Sequence, residues 1–230
     1  GQLRVALCTG SLFGRTTHPD CLAAVEGTAK LLADLGHQVE EARPDFDRDE
    51  LCFASLGQVA ASVATEIDEA ARWVARDPSP SGFAPSTWFL YQLGHALTAA
   101  QLQSSRDTIQ LATRKLAPFF DRYDVLLTPT MAHPPARHGE TALKPFERAG
   151  LAVLRSAPIR PVMLKLLRDL ADKSLERVPN TQLFNMTGLP AMSLPLHAAP
   201  DGVPIGVQVA TRFGGDGLLV VKKRAEVKID

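Results

Sequence analysis

The sequence predicts an α/β fold in which layered helices pack on a mixed, partly parallel sheet. Two observations carry that expectation. Short apolar runs of strand length open the chain and recur near residue 125, separated by long stretches of helical period. After residue 128 the composition changes, with 11 of the 17 prolines falling in residues 129–230, so this part is built from short elements joined by rigid turns.

Leu3-Arg4-Val5-Ala6-Leu7-Cys8-Thr9 is a mostly apolar run ending at Gly10, as expected of a strand inside a sheet. Pro19 suits a first helical turn, Leu22, Val25, Ala29 and Leu32 recur at helical spacing, and Gly36 is placed to end that helix left-handed. His37 to Ala42 is a second strand, closed by Pro44. Two strands joined by one helix form a parallel pair with a right-handed crossover. From about Asp49 to Asp77 an apolar stripe (Leu51, Leu56, Ala60, Val63, Ile67, Val74) predicts a long helix, stopped by Pro78, Pro80 and Pro85. A second long helix is expected from Thr87, capped by Ser86 or Thr87, towards Phe120, with Pro118 kinking or closing it. Between Pro78 and Ser105 there is no Asp, Glu, Lys or Arg. That stretch reads as a helix buried by its neighbours, or else as the wall of an apolar cavity or docking surface.

Asp124 to Thr128 is a further buried strand, stopped by Pro129. Pro161 opens a helix through about Glu176 with Met163, Leu164, Leu167, Leu170 and Ala171 inward, and Thr181 to Thr187 forms a short helix ending at Gly188. Ala191 to Leu196 and Val203 to Ala210 read as strands linked by a turn at Asp201-Gly202. No internal repeat occurs.

Composition excludes several classes of function. The chain has 230 residues and balances 25 basic against 25 acidic side chains, which argues against a nucleic-acid surface working through excess Lys and Arg. Its apolar fraction of 45% fits a globular chain with a core. Cys8, Cys21 and Cys52 cannot all pair and show no C-x-x-C spacing, so neither a disulfide framework nor a zinc ribbon is expected, and a reducing, cytoplasmic setting is. No apolar run reaches membrane-spanning length, and Gly1-Gln2-Leu3-Arg4 is not a secretory signal. With no Met before Gly1, the chain is consistent with a processed, excised or incomplete polypeptide.

Tests for chemistry return little. There is no G-x-S-x-G nucleophile turn, phosphate loop or dinucleotide fingerprint. Gly10-Ser11-Leu12-Phe13-Gly14 reads as a strand-to-loop turn, with an anion-binding nest as its alternative. His133, His138 and Glu140 are zinc-compatible in type, but the stiff His133-Pro134-Pro135 segment and the spacing of the imidazoles argue against one shared ion; no metal or cofactor is expected. Ser104-Ser105 is an adjacent serine pair on a helix, where hydroxyls face solvent or bond the preceding turn.

Three blocks resemble the amidase signature family. They are Asp124-Val125-Leu126-Leu127-Thr128-Pro129-Thr130; the run from Asn180 through Asn185-Met186-Thr187-Gly188-Leu189-Pro190 to Pro195; and Asp201-Gly202-Val203-Pro204-Ile205-Gly206-Val207-Gln208-Val209 followed by Phe213-Gly214-Gly215-Asp216. Their order, together with the opening strand-helix-strand unit, is similar to the carboxy-terminal part of that fold. The resemblance implies that residues 1–230 form this part of an amidase-like α/β domain. Residues 1–128 would supply the strand-helix-strand unit, two long helices and a strand, and residues 129–230 the proline-rich short elements. Leu218 to Arg224 departs from the family by setting apolar and basic residues in blocks.

The family hydrolyses carboxylic amides with a serine nucleophile, a bridging serine and a lysine base. Its glycine-rich serine motif has no counterpart in this chain, and Ser104-Ser105 lacks neighbouring glycines, so no residue inherits a catalytic role. The resemblance implies pocket-wall roles for Thr130, Met131, Asn185, Thr187 and Gly188. Bland roles compete: Asn185 bridging backbone, Gly188 supplying a positive φ. The uncharged helical stretch points to apolar rather than ionic substrates. The expected function is thus the pocket-shaping portion of an amide hydrolase, inactive alone and acting on a small-molecule amide with a missing amino-terminal half. The alternative is a noncatalytic binding module derived from the same fold. A sheet cut in half exposes an edge, so self-association is also expected.

Overall fold

The structure, a computed structural model, describes residues 1–140, 150, 159–166 and 175–221. The chain divides into two compact units, one comprising Gly1–Phe46, Leu111–Ala136 and Ser174–Asp230, the other Asp47–Gln110 and Arg137–Lys173.

The first unit holds a mixed five-stranded sheet. Its elements are β1 (Arg4–Leu7), α1 (Pro19–Asp34), β2 (Gln38–Glu41), β3 (Val125–Pro129), α5 (Pro179–Thr187), β4 (Ala191–Ala198), β5 (Pro204–Ala210) and α6 (Asp216–Val221). Strand order is β2-β1-β3-β5-β4. β1 pairs parallel with β2 and β3, while β3–β5 and β5–β4 are antiparallel, as the mixed-sheet expectation requires. The β1–α1–β2 crossover needs a turn at Gly36, which sits at φ +85.

Register divides the sheet into two chemically different faces. Val5 opposes Val125 and Leu127 opposes Val209, so the odd-numbered side chains share one face, where Val5, Val125, Leu127, Ile205 and Val207 pack against Cys21, Ala24, Val25 and Ala29 of α1. The other face carries Thr128, directly opposite Gln208, which is itself opposite Ser193. All three cysteines are buried and none forms a disulfide. Burial pushes the Cys21 thiol up to about 11, with the Asp20 carboxylate adding to the shift.

The starting edge of the sheet is tied by ions. Arg4 N–H donates to Asp124 Oδ2 at 2.8 Å and its guanidinium donates to Oδ1 at 2.9 Å, which holds the Asp124 carboxyl below its ordinary range. The Tyr123 hydroxyl donates to Glu40 of β2, and that bond pushes the phenol up from its ordinary value.

The second unit contains α2 (Arg48–Val74), α3 (Pro85–Ala96), the first part of α4 (Ala99–Arg122) and helical residues 160–166. Asp47 caps α2 by accepting from Glu50 N–H at 3.1 Å. Helices α2 and α3 close on Ala60, Phe89, Leu93 and Met163. They meet so tightly at Gly94 that an added Cβ would lie 2.3 Å from the Ala60 carbonyl oxygen. Tyr91 and His95 of α3 both reach Asp68 of α2, at 3.0 and 3.1 Å.

Three helical expectations are corrected. The stretch expected as one helix from Thr87 to Phe120 is two, because Leu97 is extended (φ −74, ψ 139) and Thr98 begins a new helix. Thr98 Oγ1 accepts from Gln101 N–H at 3.1 Å while Gln101 Oε1 accepts from Thr98 N–H at 3.0 Å, a reciprocal capping box that restarts the backbone. Pro118, expected to kink or close the helix, does not close α4, which runs on to Arg122. Neither Ser86 nor Thr87 caps α3; Ala84 is the N-cap and Pro85 occupies the first turn, where its missing N–H costs nothing. Of the serine pair expected to face solvent or bond the preceding turn, Ser104 is exposed and Ser105 is buried. The inward positions expected at Leu167, Leu170 and Ala171, and residues 222–230 of the closing segment, lie outside the described residues.

Gly94→Ala is expected to lower stability by about 1–3 kcal/mol, the usual cost of overpacking, measured as a shift in denaturant midpoint at unchanged slope. Asp124 titrates lower folded than unfolded, so its contribution is fully present above about pH 4 and is lost as pH falls through the lower folded value. Asp124→Asn should therefore flatten the acid limb of a thermal-stability profile and leave the slope between pH 6 and 8 unchanged, in roughly that window.

Candidate functional site

In open α/β sheets, ligand crevices form beyond the finishing ends of parallel strands where the connections diverge. Here that point lies between β1, which leads through α1 to β2, and its other neighbour β3. Three loops gather there: the one after β1, the one after β3 and the one entering α5.

Asn180 binds them together. It is fully buried; its Oδ1 accepts from Leu12 N–H at 2.8 Å and its Nδ2 donates to the Pro129 carbonyl at 2.7 Å. Its own carbonyl accepts from Gln208 Nε2 at 3.3 Å, and the same Nε2 donates to Thr128 Oγ1 at 3.2 Å. Arg43 adds a clamp, donating from Nη2 to the carbonyls of Ser11 and Leu12. Each polar group buried in this hub has a partner, the condition for keeping it there without a desolvation penalty.

Outward from the hub, Thr130 Oγ1 and Ser193 Oγ lie 2.7 Å apart, and Thr130 N–H donates to the Gly206 carbonyl at 3.0 Å. A Cβ on Gly206 would fall 2.6 Å from Ser193 Oγ and 2.9 Å from Thr130 Oγ1, so the hydroxyl pair exists because residue 206 has no side chain. Main-chain bonds extend the rim, from His18 N–H to Ala132 O (2.8 Å) and from Ala132 N–H to Arg177 O (3.0 Å). Gly10–Gly14 forms a turn, with Gly14 N–H on the Ser11 carbonyl at 3.1 Å and Ser11 Oγ accepting from Phe13 N–H at 3.2 Å.

The sequence-derived candidates separate into two places. Thr130 and Met131, both half-buried, stand at the finishing end of β3 beside the hub. Asn185, Thr187 and Gly188 lie at the far end of α5, next to Pro190 and Ala191, which meet the starting end of β3 through Thr211 and Ala210. There Asn185 is exposed, the Thr187 hydroxyl donates back to the Leu183 carbonyl at 2.8 Å, and Gly188 ends the helix at φ +70 with its N–H on Phe184 O. Sequence reasoning missed Asn180, Thr128 and Gln208 as site-forming residues. The usable signal was a polar residue within or ending each of two otherwise apolar strand runs, Val125–Thr128 and Val207–Val209. Among the described residues no three His, Cys, Asp or Glu side chains group as metal ligands, and no helix is long and apolar enough to cross a membrane.

The sequence matches the model of one protein family, described as Amidase, over residues 1–220. It is 27% identical over 223 residues to a 6-aminohexanoate-cyclic-dimer hydrolase of Paenarthrobacter ureafaciens, covering 96% of this chain and 42% of that protein. It is likewise 27% identical over 218 residues to a lipoamidase of Enterococcus faecalis, covering 94% of this chain and 30% of that protein. Among solved structures, a 6-aminohexanoate cyclic dimer hydrolase superposes with a TM-score of 0.75 at 26% identity, over 96% of this chain and 43% of that one. An amidase crystal structure at 20% identity and TM-score 0.67 shares the fold, over 96% of this chain and 44% of that one. This chain therefore spans less than half the length of these relatives.

Asn180→Ala leaves the Leu12 N–H and the Pro129 carbonyl buried without partners. Its expected cost is about 2–4 kcal/mol, read from urea unfolding of this chain. Asn180→Asp keeps the acceptor for Leu12 but sets a buried carboxylate oxygen against the Pro129 carbonyl, and at neutral pH is expected to cost at least as much as Asn180→Ala.

Proposed function

The chain belongs to the amidase family, and from that premise we propose that it forms the carboxy-terminal, pocket-shaping portion of a hydrolase cleaving carboxylic amide C–N bonds. A serine outside this chain attacks the amide carbonyl, backbone N–H groups hold the developing oxyanion, the amine departs with a proton, and water then releases the acid from the acyl-enzyme. The observation that carries this reading is the extent of the match: 96% of this chain corresponds to only 42% of an amide hydrolase. The chain has no Gly-Gly-Ser-Ser-Gly-like stretch, and the Ser11 hydroxyl oxygen is taken up within its own turn.

In this reading the hub around Asn180 fixes the loop carrying Thr130 and Met131, which face the acyl pocket. Ser193 joins them through its hydroxyl. Asn185, Thr187 and Gly188 contribute by ending α5 and launching β4 rather than by touching substrate. Among the described residues β4 is an edge strand, so its outer N–H and C=O groups are available to further polypeptide.

The test pairs this chain with the natural polypeptide purified from its source. The natural polypeptide is expected to exceed 24.8 kDa by intact mass and to release amine from 6-aminohexanoate cyclic dimer or a simple amide, in a reaction stopped by a serine-directed sulfonyl fluoride. This chain alone is expected to release none. Serine-dependent turnover by this chain, or a natural protein of 24.8 kDa that hydrolyses no amide, overturns the reading, and the second result favours a noncatalytic binding module.

A further inference from the structure

The rim of the site has a chemistry that the uncharged helices do not share. The bonds from His18 N–H to Ala132 O and from Ala132 N–H to Arg177 O bring His18, His133 and Arg177 into one cluster. The two imidazole centroids are 6.4 Å apart with the rings inclined at 62°, and Arg177 Nη1 donates to the Pro134 carbonyl at 3.4 Å. All three side chains are half-buried. One residue before His18, the Thr17 hydroxyl is buried and has no hydrogen-bond partner among the described residues.

These groups are mostly donors. His18 Nδ1 accepts from Asp20 N–H at 3.2 Å, so a neutral His18 ring carries its proton on Nε2, at the far end of the imidazole. A guanidinium offers donors alone, and the orphaned Thr17 hydroxyl supplies another. His18 is also the N-cap of the 16-residue α1, whose dipole adds partial positive charge. Among the described residues Asp20 approaches the cluster, its Oδ2 lying 3.6 Å from His18 Nδ1, the nitrogen already committed to the helix start. A half-buried pair of imidazoles beside a guanidinium, with an unsatisfied hydroxyl one residue before His18, is complementary to an acceptor-only ligand with two oxygens in a plane.

We propose that His18, His133, Arg177 and Thr17 bind the carboxylate of a carboxylated amide. The substrate assignment rests on the amide-hydrolase reading; the anion site itself does not. The cluster adjoins Met131 through Ala132, so a carboxylate held here places the rest of the molecule along the Thr130–Met131 loop. Selection then favours amides with an ionised tail over neutral ones.

The experiment follows the ring nitrogen signals of His18 and His133 by NMR in this chain at fixed pH and ionic strength. The titrants are sodium acetate, acetamide, sodium chloride and inorganic phosphate. Acetate is expected to give saturable shifts of both rings, and acetamide and chloride none. Arg177→Gln should weaken acetate binding about tenfold, the loss of one charge-assisted bond, with partial recovery in Arg177→Lys. Thr17→Val should weaken it several-fold. Equal shifts from acetamide or chloride, or unchanged binding in Arg177→Gln, overturn the site, and tighter binding of phosphate than acetate overturns the carboxylate assignment. Should Arg177→Gln fail to fold, His133→Gln makes the same comparison. Amide turnover plays no part in this readout, so a failed hydrolase assay sinks the catalytic reading while the anion site is still decided by the titration.

Discussion

A single buried carboxamide organises the finishing edge of the sheet. Asn180 presents an acceptor and a donor on one rigid plane, and the chain answers with a donor from the loop after β1 and an acceptor from the end of β3. Among ordinary uncharged side chains of that size, Asn carries donor and acceptor on separate atoms, where a Ser or Thr hydroxyl carries both on one. Because the residue is fully buried, neither partner can be exchanged for water, so the two loops are registered to each other and to the start of α5. The rim inherits its geometry from that registration: Thr130 follows Pro129 directly, and Arg177 precedes Asn180 by three residues.

The polarity of the sheet explains why such a hub is tolerated. One face is closed by α1 over an apolar layer, which supplies the hydrophobic term that holds the unit together. The opposite face can then carry Thr128, Gln208 and Ser193 in register across three strands at little cost, since each inner hydroxyl or amide meets another. Gly206 belongs to the same logic. A strand-interior glycine sacrifices packing and backbone entropy, and here that loss leaves room for two hydroxyls to meet at 2.7 Å.

What was legible in the sequence follows from the range of the interactions. The strands, the β1–α1–β2 crossover and the left-handed ends at Gly36 and Gly188 depend on neighbours within a few residues, and their signals are local. The break at Leu97 was equally local, because Thr98-Ala99-Ala100-Gln101 is a capping-box spacing; it was hidden by an apolar, uncharged stretch that reads as one buried helix. The hub was not legible in that way. Leu12, Pro129 and Asn180 are separated by more than fifty and more than a hundred positions, and nothing in any one of them announces the other two. Only the placement of polar residues inside buried strands hinted that a partner would arrive from elsewhere.

The separation of Thr130 from Thr187 shows where motif reading and geometry part company. Both belong to blocks that resemble one family, and adjacency within a motif invites the inference that its polar residues act together. Yet α5 runs from the hub at Asn180 back towards the starting end of β3, and its nine residues carry Thr187 and Gly188 away by about 1.5 Å per residue. A helix laid along a strand sorts its own motif: residues at its first turn share the site with the loops, and residues at its last turn serve the next connection. The Thr187 hydroxyl fits that placement, giving its proton to the Leu183 carbonyl within its own helix. Arg177, which stands outside the helix and outside the most recognisable part of the block, is by the same geometry on the rim. A residue's place in this part of the fold therefore follows from which end of β3 it reaches, and less from how strongly its sequence neighbourhood resembles a family.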